Sequence, residues 1–386
     1  MRLFKGKSDT KTATAPGTSG TEPVAASGST EPERTRSYHR VGLNSIGPVY
    51  GVAVNPSGTC VAAAADDLWM FDPFSEGRAR RVTGPSSPCC LAFHVQDGLV
   101  VSGDSDGVIR FWDPESRQCA RSIEGHTDQI VDLAVSADGE LLASVSADDS
   151  IRIWDSHSTA SVRTIEQEGL LGVSFSPDGH QLAASTVDNC IRLWDVESGS
   201  CARTLVRTDH SGSWGIAYSP DGMVLAGGSH LRIDLWDPST GTYMRALSGH
   251  EYSRERDSGQ VYSVAFSRDN RVLASAGADG AIRLWDWPSG RCLGVADRFA
   301  GAARCVAINS DGTVVAAGSK DGELTTLTDR TAPATGEMSA RSHETRTNCP
   351  HCGKAIGGPA AAFVDGAEDA LDWAIPCLHC GETIRR

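Results

Sequence analysis

Four cysteines near the C-terminus are the residues whose type and spacing point most directly to chemistry. They lie in two similar segments, Cys349-Pro350-His351-Cys352-Gly353 and Cys377-Leu378-His379-Cys380-Gly381, with 24 residues between Cys352 and Cys377. A Cys-x-x-Cys pair places two thiolates on one tight turn, and the Gly that follows permits the positive φ that such a turn requires. Two such pairs together supply a closed tetrahedral ligand set for zinc.

The spacing of the two pairs resembles a zinc ribbon, so residues 349–386 are predicted to form a zinc-ribbon-like module. His351 and His379 compete as ligands, and a redox role is the alternative for an isolated Cys-x-x-Cys pair. Four ligands leave no open coordination position, so the Zn²⁺ is expected to be structural. The predicted ligands are Cys349, Cys352, Cys377 and Cys380.

A tight turn that returns seven times, at intervals of 40 to 48 residues, organises the chain before this module. Asx-Gly suits a two-residue hairpin in which both central residues take φ > 0. A period near 40 residues with hairpin turns indicates one small sheet per repeat. The turns are Asn55-Pro56-Ser57-Gly58, Asp97-Gly98, Asp138-Gly139, Asp178-Gly179, Asp221-Gly222, Asp269-Asn270 and Asp311-Gly312.

A second motif, which ends in Trp-Asp, follows five of these turns at a nearly constant distance. Two Gly-His pairs, Gly125-His126 and Gly249-His250, open the third and sixth repeats. The chain therefore resembles the WD-repeat family over roughly residues 40–330. This resemblance implies an all-β fold, a seven-bladed propeller of four-stranded blades, in which Tyr38 to Leu43 would complete the last blade. The motifs are Phe111-Trp112-Asp113, Ile153-Trp154-Asp155, Leu193-Trp194-Asp195, Leu235-Trp236-Asp237 and Leu284-Trp285-Asp286.

The expected domain organisation is a disordered N-terminal tail (residues 1–37), the propeller (38–330), a flexible linker (331–348) and the zinc-ribbon-like module (349–386). The first 40 residues are rich in Thr, Ser, Gly, Ala and Pro, and such a composition buries too little apolar surface to order the chain.

Charge is distributed unevenly along the chain. The net charge is −14, of which residues 1–40 carry about +3 and residues 331–386 carry −2, so the propeller carries −15. An acidic body repels phosphate backbones and disfavours nucleic acid as its partner, whereas basic or neutral protein partners suit it.

The sequence also bears on the compartment. It contains no apolar run long enough to span a membrane, and the start lacks the apolar stretch of a secretory signal. A cytoplasmic, reducing location follows, in which the eight cysteines outside the module are free thiols and Cys89-Cys90 is the pair to consider for reactivity.

The resemblance further implies a hydrogen-bonded set of His, Ser, Asp and Trp in individual blades. His, Ser and Asp also make a hydrolase triad, but the structural role is favoured because buried polar groups must be paired. No nucleophile elbow, phosphate-binding loop or metalloprotease motif is present, so the protein is expected not to be an enzyme. Blades that lack the full set are expected to be held mainly by packing. The sets are His126, Ser144, Asp148 and Trp154 in blade 3, and His250, Ser275, Asp279 and Trp285 in blade 6.

Aligning the first strand of every blade places seven residues at one equivalent position: Tyr50, Cys89, Val131, Leu171, Trp214, Tyr262 and Arg304. In the family this position lies near the channel mouth on the top face, the face at which the innermost strands begin. Tyr, Trp and Arg dominate interface hot spots, although ordinary strand residues near a rim would look the same. An insertion at residues 251–259 adds charge beside them. The predicted partner-binding residues are Tyr50, Trp214, Tyr262, Arg304, Arg254 and Arg256.

Two functions fit these features. In the first, a monomeric, non-enzymatic scaffold docks a protein on its top face and uses the zinc ribbon as a second contact module. In the alternative, a nucleic-acid-associated adaptor, the ribbon binds nucleic acid and the propeller recruits other proteins. Salt discriminates between them, because phosphate contacts weaken steeply with ionic strength.

Overall fold

The computed structural model describes most of the propeller and two short strands beyond it. The predicted tail, the predicted linker and the four predicted zinc ligands lie outside the described residues. Within the described part, no helix is long and apolar enough to cross a membrane. The described residues are 46–74, 79–82, 84, 87–206, 215–254 and 258–329, together with the backbone of the strands 38–43, 374–376 and 383–385.

The propeller consists of seven antiparallel four-stranded sheets, as the repeat predicts. The first strand and blades 1 to 3 comprise β1 (Tyr38–Leu43), β2 (Gly51–Val54), β3 (Val61–Ala64), β4 (Leu68–Phe71), β5 (Arg80–Val82), β6 (Pro88–Phe93), β7 (Val100–Asp104), β8 (Ile109–Trp112), β9 (Cys119–Ile123), β10 (Ile130–Val135), β11 (Leu141–Ser146), β12 (Ser150–Asp155) and β13 (Ser161–Glu166).

Blades 4 to 7 continue the same pattern. They comprise β14 (Leu170–Phe175), β15 (Gln181–Thr186), β16 (Cys190–Asp195), β17 (Cys201–Val206), β18 (Ile216–Tyr218), β19 (Leu225–Gly228), β20 (Arg232–Asp237), β21 (Thr242–Ser248), β22 (Val261–Phe266), β23 (Val272–Gly277), β24 (Ala281–Asp286), β25 (Arg291–Arg298), β26 (Ala303–Ile308), β27 (Val314–Ser319) and β28 (Leu324–Asp329). A separate antiparallel pair, β29 (Ala374–Pro376) and β30 (Thr383–Arg385), lies near the C-terminus.

The repeated turn joins the first and second strands of each blade, but its geometry differs from the predicted two-residue hairpin. In blade 3 the Gly139 N–H donates to the Ser136 carbonyl (2.9 Å), and the Ser136 N–H donates to the Leu141 carbonyl (2.9 Å). Only Gly139 has a positive φ (+80°), whereas Asp138 does not. The prediction that both central residues take φ > 0 is therefore wrong. The Asp is used for its side chain, which accepts hydrogen bonds from the Ser136 hydroxyl (2.6 Å) and the Glu140 N–H (3.0 Å).

The first strand of each blade is the innermost, and successive inner strands contact one another until β26 meets β2 and closes the ring. Between neighbouring blades lie apolar clusters, such as the one in which Ile151 and Ile153 of blade 3 pack with Val173 and Phe175 of blade 4. Burying an aliphatic side chain of this size contributes about 1.5–3 kcal/mol. The blades are thus held by contacts on both of their faces.

Blade 7 takes its outer strand from the beginning of the propeller. β1 pairs with β28 in antiparallel register, with Tyr38 opposite Asp329 and Leu43 opposite Leu324. This is the closure that the family resemblance implies for Tyr38 to Leu43. The pairing gives blade 7 the four strands of the other blades and satisfies the backbone groups along the outer side of β28.

The structure brings together the predicted polar set of blade 3. The Trp154 indole N–H donates to the Ser144 hydroxyl (2.9 Å), which lies 2.7 Å from His126 Nε2. His126 Nδ1 lies 3.0 Å from the Asp148 carboxylate. Although burial opposes ionisation of Asp148, hydrogen bonds from Ser150, the Thr127 N–H and His126 lower its pKa to about 2.

Blade 6 repeats this arrangement with one addition. His250 contacts Ser275 (2.8 Å) and Asp279 (2.9 Å), and Trp285 donates to Ser275 (2.9 Å). The Arg283 guanidinium also donates to Asp279 at 2.7 Å, and both side chains are buried. The carboxylate of blade 6 is therefore held by a histidine and a cation together.

In blades that lack the histidine, an arginine at the position of Arg283 contacts the carboxylate. In blade 2, Arg110 donates to Asp106 (2.8 Å) and Trp112 donates to Ser102 (2.9 Å). In blade 4, Arg192 donates to Asp188 at 2.6 Å. An Arg two residues before the Trp therefore replaces the missing histidine as partner of the carboxylate in blades 2 and 4, and the expectation that packing mainly holds these blades stays a prediction.

Candidate functional site

Six of the seven aligned inner-strand residues line one cavity of about 480 Å³ at the top end of the channel, where the inner strands begin. We call this cavity and its rim the top mouth. The seventh residue, Trp214, lies outside the described residues, and its neighbour Gly215 lines the cavity. The six residues are Tyr50, Cys89, Val131, Leu171, Tyr262 and Arg304.

The aromatic and cationic members of the top mouth come from blades 1, 6 and 7. The Arg304 guanidinium lies over the Tyr262 ring, 4.8 Å from its centroid. A contact of this kind contributes about 0.5–1 kcal/mol at an exposed site, and it holds both side chains in place. Tyr50, on the rim of blade 1, has 57% of its surface exposed. Its backbone N–H donates to the Ala64 carbonyl (2.8 Å), which fixes the point from which the ring projects.

A second cation, Lys320, joins the top mouth and was not predicted. β26 and β27 form a hairpin, so the residue after β27 returns to the end at which β26 begins. The Lys320 N–H donates to the Ala302 carbonyl (3.0 Å), and Lys320, which is exposed, lines the cavity with Arg304. Aligning the residues that follow each second strand would have revealed this position. Blade 7 thus presents two cations on a strongly acidic propeller.

A carboxylate lies deeper in the wall of the top mouth. Asp132 accepts hydrogen bonds from the Leu133 N–H (2.9 Å) and from the Val173 N–H of the next blade (2.9 Å). Burial raises the pKa of Asp132 to about 6, against the opposing effect of these hydrogen bonds. The Ser263 hydroxyl likewise accepts a hydrogen bond from the Val306 N–H (3.2 Å), which joins blades 6 and 7. Asp132 therefore connects two blades beneath the rim.

Cys89 and Cys90 are unsuited to nucleophilic chemistry. Burial and the charges of Asp104 and Asp106 raise the pKa of Cys89 to about 11. Burial also raises the pKa of Cys90 well above its usual value. Since the thiolate is the reactive form, these raised pKa values disfavour a nucleophilic role for either thiol at neutral pH. All eight cysteines in the described propeller are free.

The inserted loop of blade 6 is anchored beside blade 5. Ser253 and Ser258 pair across the loop, and the Tyr252 ring packs edge-on against His230, with centroids 6.1 Å apart. Arg254 is exposed, but among the described residues it is not one of those that line the top mouth. Arg256 lies outside the described residues.

The His–Ser–Asp geometry of blade 3 follows the order of a hydrolase triad, yet it cannot act as one. Ser144 has 0% of its surface exposed, and its hydroxyl already accepts the Trp154 N–H. A nucleophile must have a substrate atom within reach, and this hydroxyl has none. The arrangement serves to connect the loop that begins with His126 to the blade.

The bottom end of the channel carries a second cavity of about 610 Å³, which we call the bottom mouth. Its rim is formed by the repeated turns and includes Pro56, Pro177 and Pro220. Arg268 reaches from blade 6 towards blade 3, where it donates to the Ala137 carbonyl at 3.4 Å. The rim of the bottom mouth is therefore built from residues that also shape the turns.

Comparison with known proteins agrees with this architecture. The model of the WD domain, G-beta repeat, matches residues 78–113, 117–155, 159–195, 241–286 and 290–325. These segments together make up half of the chain. Each segment begins at the outer strand of one blade and runs into the inner strands of the next, which are those of blades 2, 3, 4, 6 and 7. Propellers of this family are typically non-enzymatic scaffolds for protein interactions.

Similar proteins include periodic tryptophan protein 2 of Saccharomyces cerevisiae, which is 42% identical over 72 residues, 18% of this chain and 7% of the relative. Nuclear distribution protein nudF of Aspergillus niger is 36% identical over 95 residues, 24% of this chain and 20% of the relative. Nuclear distribution protein PAC1 of Arthroderma benhamiae is 30% identical over 206 residues, 51% of this chain and 35% of the relative. Each match thus covers about a third or less of the relative. From its repeats, its blades and the matched model, the chain belongs to the WD-repeat family of β-propellers.

Proposed function

We propose that the protein is a non-enzymatic scaffold whose top mouth docks a segment of a protein partner. The observation that carries this proposal is the cluster of Tyr50, Tyr262, Arg304 and Lys320 around one cavity. Arg304 and Tyr262 are already in contact, so little side-chain entropy is lost when a partner orders them. The two cations select an acidic side chain, and the exposed Tyr50 ring offers an apolar surface beside it.

The charge of the propeller supports a protein rather than a nucleic acid as the occupant. Two cations at one mouth can recognise a single carboxylate, but the −15 of the surrounding propeller repels a chain of phosphates. A loop or terminus that presents one carboxylate beside an apolar residue, and is otherwise neutral or basic, is therefore the partner chemistry that we propose.

The test is affinity purification from the cells that make the protein, with and without nuclease, using wild type and the double variant Tyr262→Ala/Arg304→Ala. Arg268→Ala is the matched control, because it removes a cation from the bottom mouth. Melting temperatures close to that of wild type establish that all variants are folded.

We expect a nuclease-resistant protein partner that the double variant loses and the control retains. A partner retained equally by all three proteins would overturn the proposal for the top mouth. Nucleic acid that co-purifies with the double variant would instead support the adaptor function.

We further propose that Cys349, Cys352, Cys377 and Cys380 hold a structural Zn²⁺. Four thiols in two Cys-x-x-Cys pairs form a donor set that suits zinc. The second pair belongs to the chain between β29 and β30, whose backbones pair in antiparallel register with Pro376 opposite Thr383. When bound, Zn²⁺ would supply folding free energy to the module, which has few apolar residues of its own.

Metal analysis of the purified chain tests this proposal. We expect Cys349→Ser/Cys377→Ser to hold about one Zn²⁺ per chain fewer than wild type, and Cys119→Ser/Cys201→Ser, which removes two exposed propeller thiols, to hold as much as wild type. Equal zinc content in the two variants would contradict the assignment.

A further inference from the structure

A cluster of side chains of the types that ligate metals lies on the bottom face, where blades 2 and 3 meet, away from the top mouth. His94 and Asp97 belong to the turn that follows β6 in blade 2. Glu140 follows the corresponding turn of blade 3, and His157 follows β12. One ligand atom from each of His94, Asp97 and His157 lies within 4.8 Å of the others.

His94 is held in one orientation and one tautomer. Its side chain is fully buried, and Nε2 lies 2.8 Å from the Gly139 carbonyl oxygen, to which it donates its proton. With the proton on Nε2, Nδ1 is the acceptor of the ring, and it accepts the Asp97 N–H at 3.3 Å.

A carboxylate lies beside this acceptor. The Asp97 carboxylate lies 3.4 Å from His94 Nδ1, and the Arg121 guanidinium lies 2.9 Å from the same carboxylate. An imidazole nitrogen and a carboxylate oxygen are atoms that a divalent transition metal ion takes as ligands.

Two exposed side chains complete the donor set. The His157 ring packs edge-on to His94, with centroids 5.5 Å apart. Glu140 Oε2 lies 3.7 Å from His157 Nδ1, and the two side chains are 60% and 43% exposed. Their exposure leaves room for them to move inwards to metal-ligand distances of about 2.0–2.2 Å.

We propose that His94, Asp97, His157 and Glu140 form an interblade site for a divalent transition metal ion with the ligand preferences of Zn²⁺. Imidazole and carboxylate donors suit this class of ion. The surroundings match those of metal sites, in which a carbonyl fixes the tautomer of a ligating histidine and further groups orient the carboxylates. Here the Gly139 carbonyl holds His94, Arg121 holds Asp97, and Gln96 donates to Glu140 at 2.9 Å.

The consequence of binding would be a connection between two blades. His94 and Asp97 come from blade 2, whereas Glu140 and His157 come from blade 3. A bound ion would therefore join the turns of neighbouring blades on the bottom face and stabilise the propeller against separation at this point.

The experiment separates this site from the proposed zinc ribbon. The full chain with all four ribbon cysteines replaced by Ser is titrated with Zn²⁺ by calorimetry, and its melting temperature is recorded with and without the ion. His157→Gln is introduced into the same background, since this exposed residue can be replaced without unfolding the blade. His180→Gln, which alters an exposed histidine at the position of Glu140 in blade 4, is the control.

We expect the parent to bind Zn²⁺ and to melt at a higher temperature in its presence. His157→Gln should weaken the affinity roughly tenfold or more and abolish the rise in melting temperature, while His180→Gln should behave as the parent does. No binding by the folded parent, or equal affinity of the parent and His157→Gln, would overturn the proposal. Neither result depends on whether the top mouth docks a partner.

Discussion

At the bottom of the propeller the same side chains recur from blade to blade, whereas equivalent positions at the top mouth differ. In four bottom turns a serine hydroxyl donates to the aspartate two residues later at 2.5–2.6 Å. At the top mouth the aligned position holds Tyr50, Cys89, Val131, Leu171, Tyr262 and Arg304 in six blades. The bottom turns need particular hydrogen bonds, whereas the aligned top position is, in five blades, the residue of a β-bulge that the pairing with the second strand skips. The top mouth is therefore where this fold leaves residue type available for recognition.

The largest expected loss of stability concerns Asp279. This residue lies near the top face but serves stability rather than recognition, so its variant sharpens the contrast between the two ends. Asp279→Ala removes the carboxylate that binds His250 and Arg283, and Arg283 is only 4% exposed. Leaving a buried guanidinium without its partner should cost about 3–5 kcal/mol of unfolding free energy. Urea denaturation measures this loss.

Asp148→Ala in blade 3 is the comparison for that variant. The Asp148 carboxylate is held by His126, Thr127 and Ser150, without a guanidinium contact among the bonds described here. Asp148→Ala should therefore lower the free energy of unfolding by less than Asp279→Ala does. Equal losses would show that the buried arginine of blade 6 does not depend on its carboxylate.

An intermediate effect concerns the wall of the top mouth and depends on pH. The pKa of Asp132 is raised to about 6 in the folded protein, above its ordinary value of 3.8. The folded state then holds this proton more tightly than the unfolded state does. The resulting stability is fully present below about pH 4 and is lost as the pH rises through 6.

Asp132→Asn should remove this dependence, so that wild type loses about 2 kcal/mol more than the variant between pH 4 and pH 7, after allowance for solvent in the channel. Chemical denaturation at a series of pH values gives the difference. Parallel stability curves for the two proteins would contradict the raised pKa.

The smallest expected effect lies in a bottom turn. Gly179 has φ +73°, and a Cβ added there would meet no atom within 4 Å. Gly179→Ala should therefore cost only the strain of the left-handed backbone, about 1 kcal/mol, and leave partner binding unchanged. Thermal unfolding measures the loss, and a drop in partner affinity would break the proposed division between the two ends.

Much of the fold could be predicted from the sequence because each blade repeats its local signals. Turns such as Asp178-Gly179 and motifs such as Leu193-Trp194-Asp195 recur at nearly constant intervals, and the turn chemistry specifies where strands end. The predicted turn type was wrong because Asx-Gly occurs in several hairpin geometries. In this one the Asp contributes a side-chain acceptor rather than a positive φ.

Contacts that join distant parts of the chain were not predictable in this way. Lys320 reaches the top mouth because a hairpin returns it there, and the cluster of His94 and His157 joins side chains from two blades. The arginine two residues before the Trp did recur in the sequence, as in Arg192 and Arg283. Its role became apparent only when the structure placed the aspartate beside it.

The strand that closes blade 7 also determines how the molecule would respond to mechanical load. Because Tyr38 lies opposite Asp329, the chain enters β1 and leaves β28 at the same end of one strand pair. A pulling force applied through the two flanking segments would therefore load the backbone hydrogen bonds one rung at a time, like a zip, instead of shearing all of them together. Blade 7 would open first under tension, while the other six blades carried little of the force.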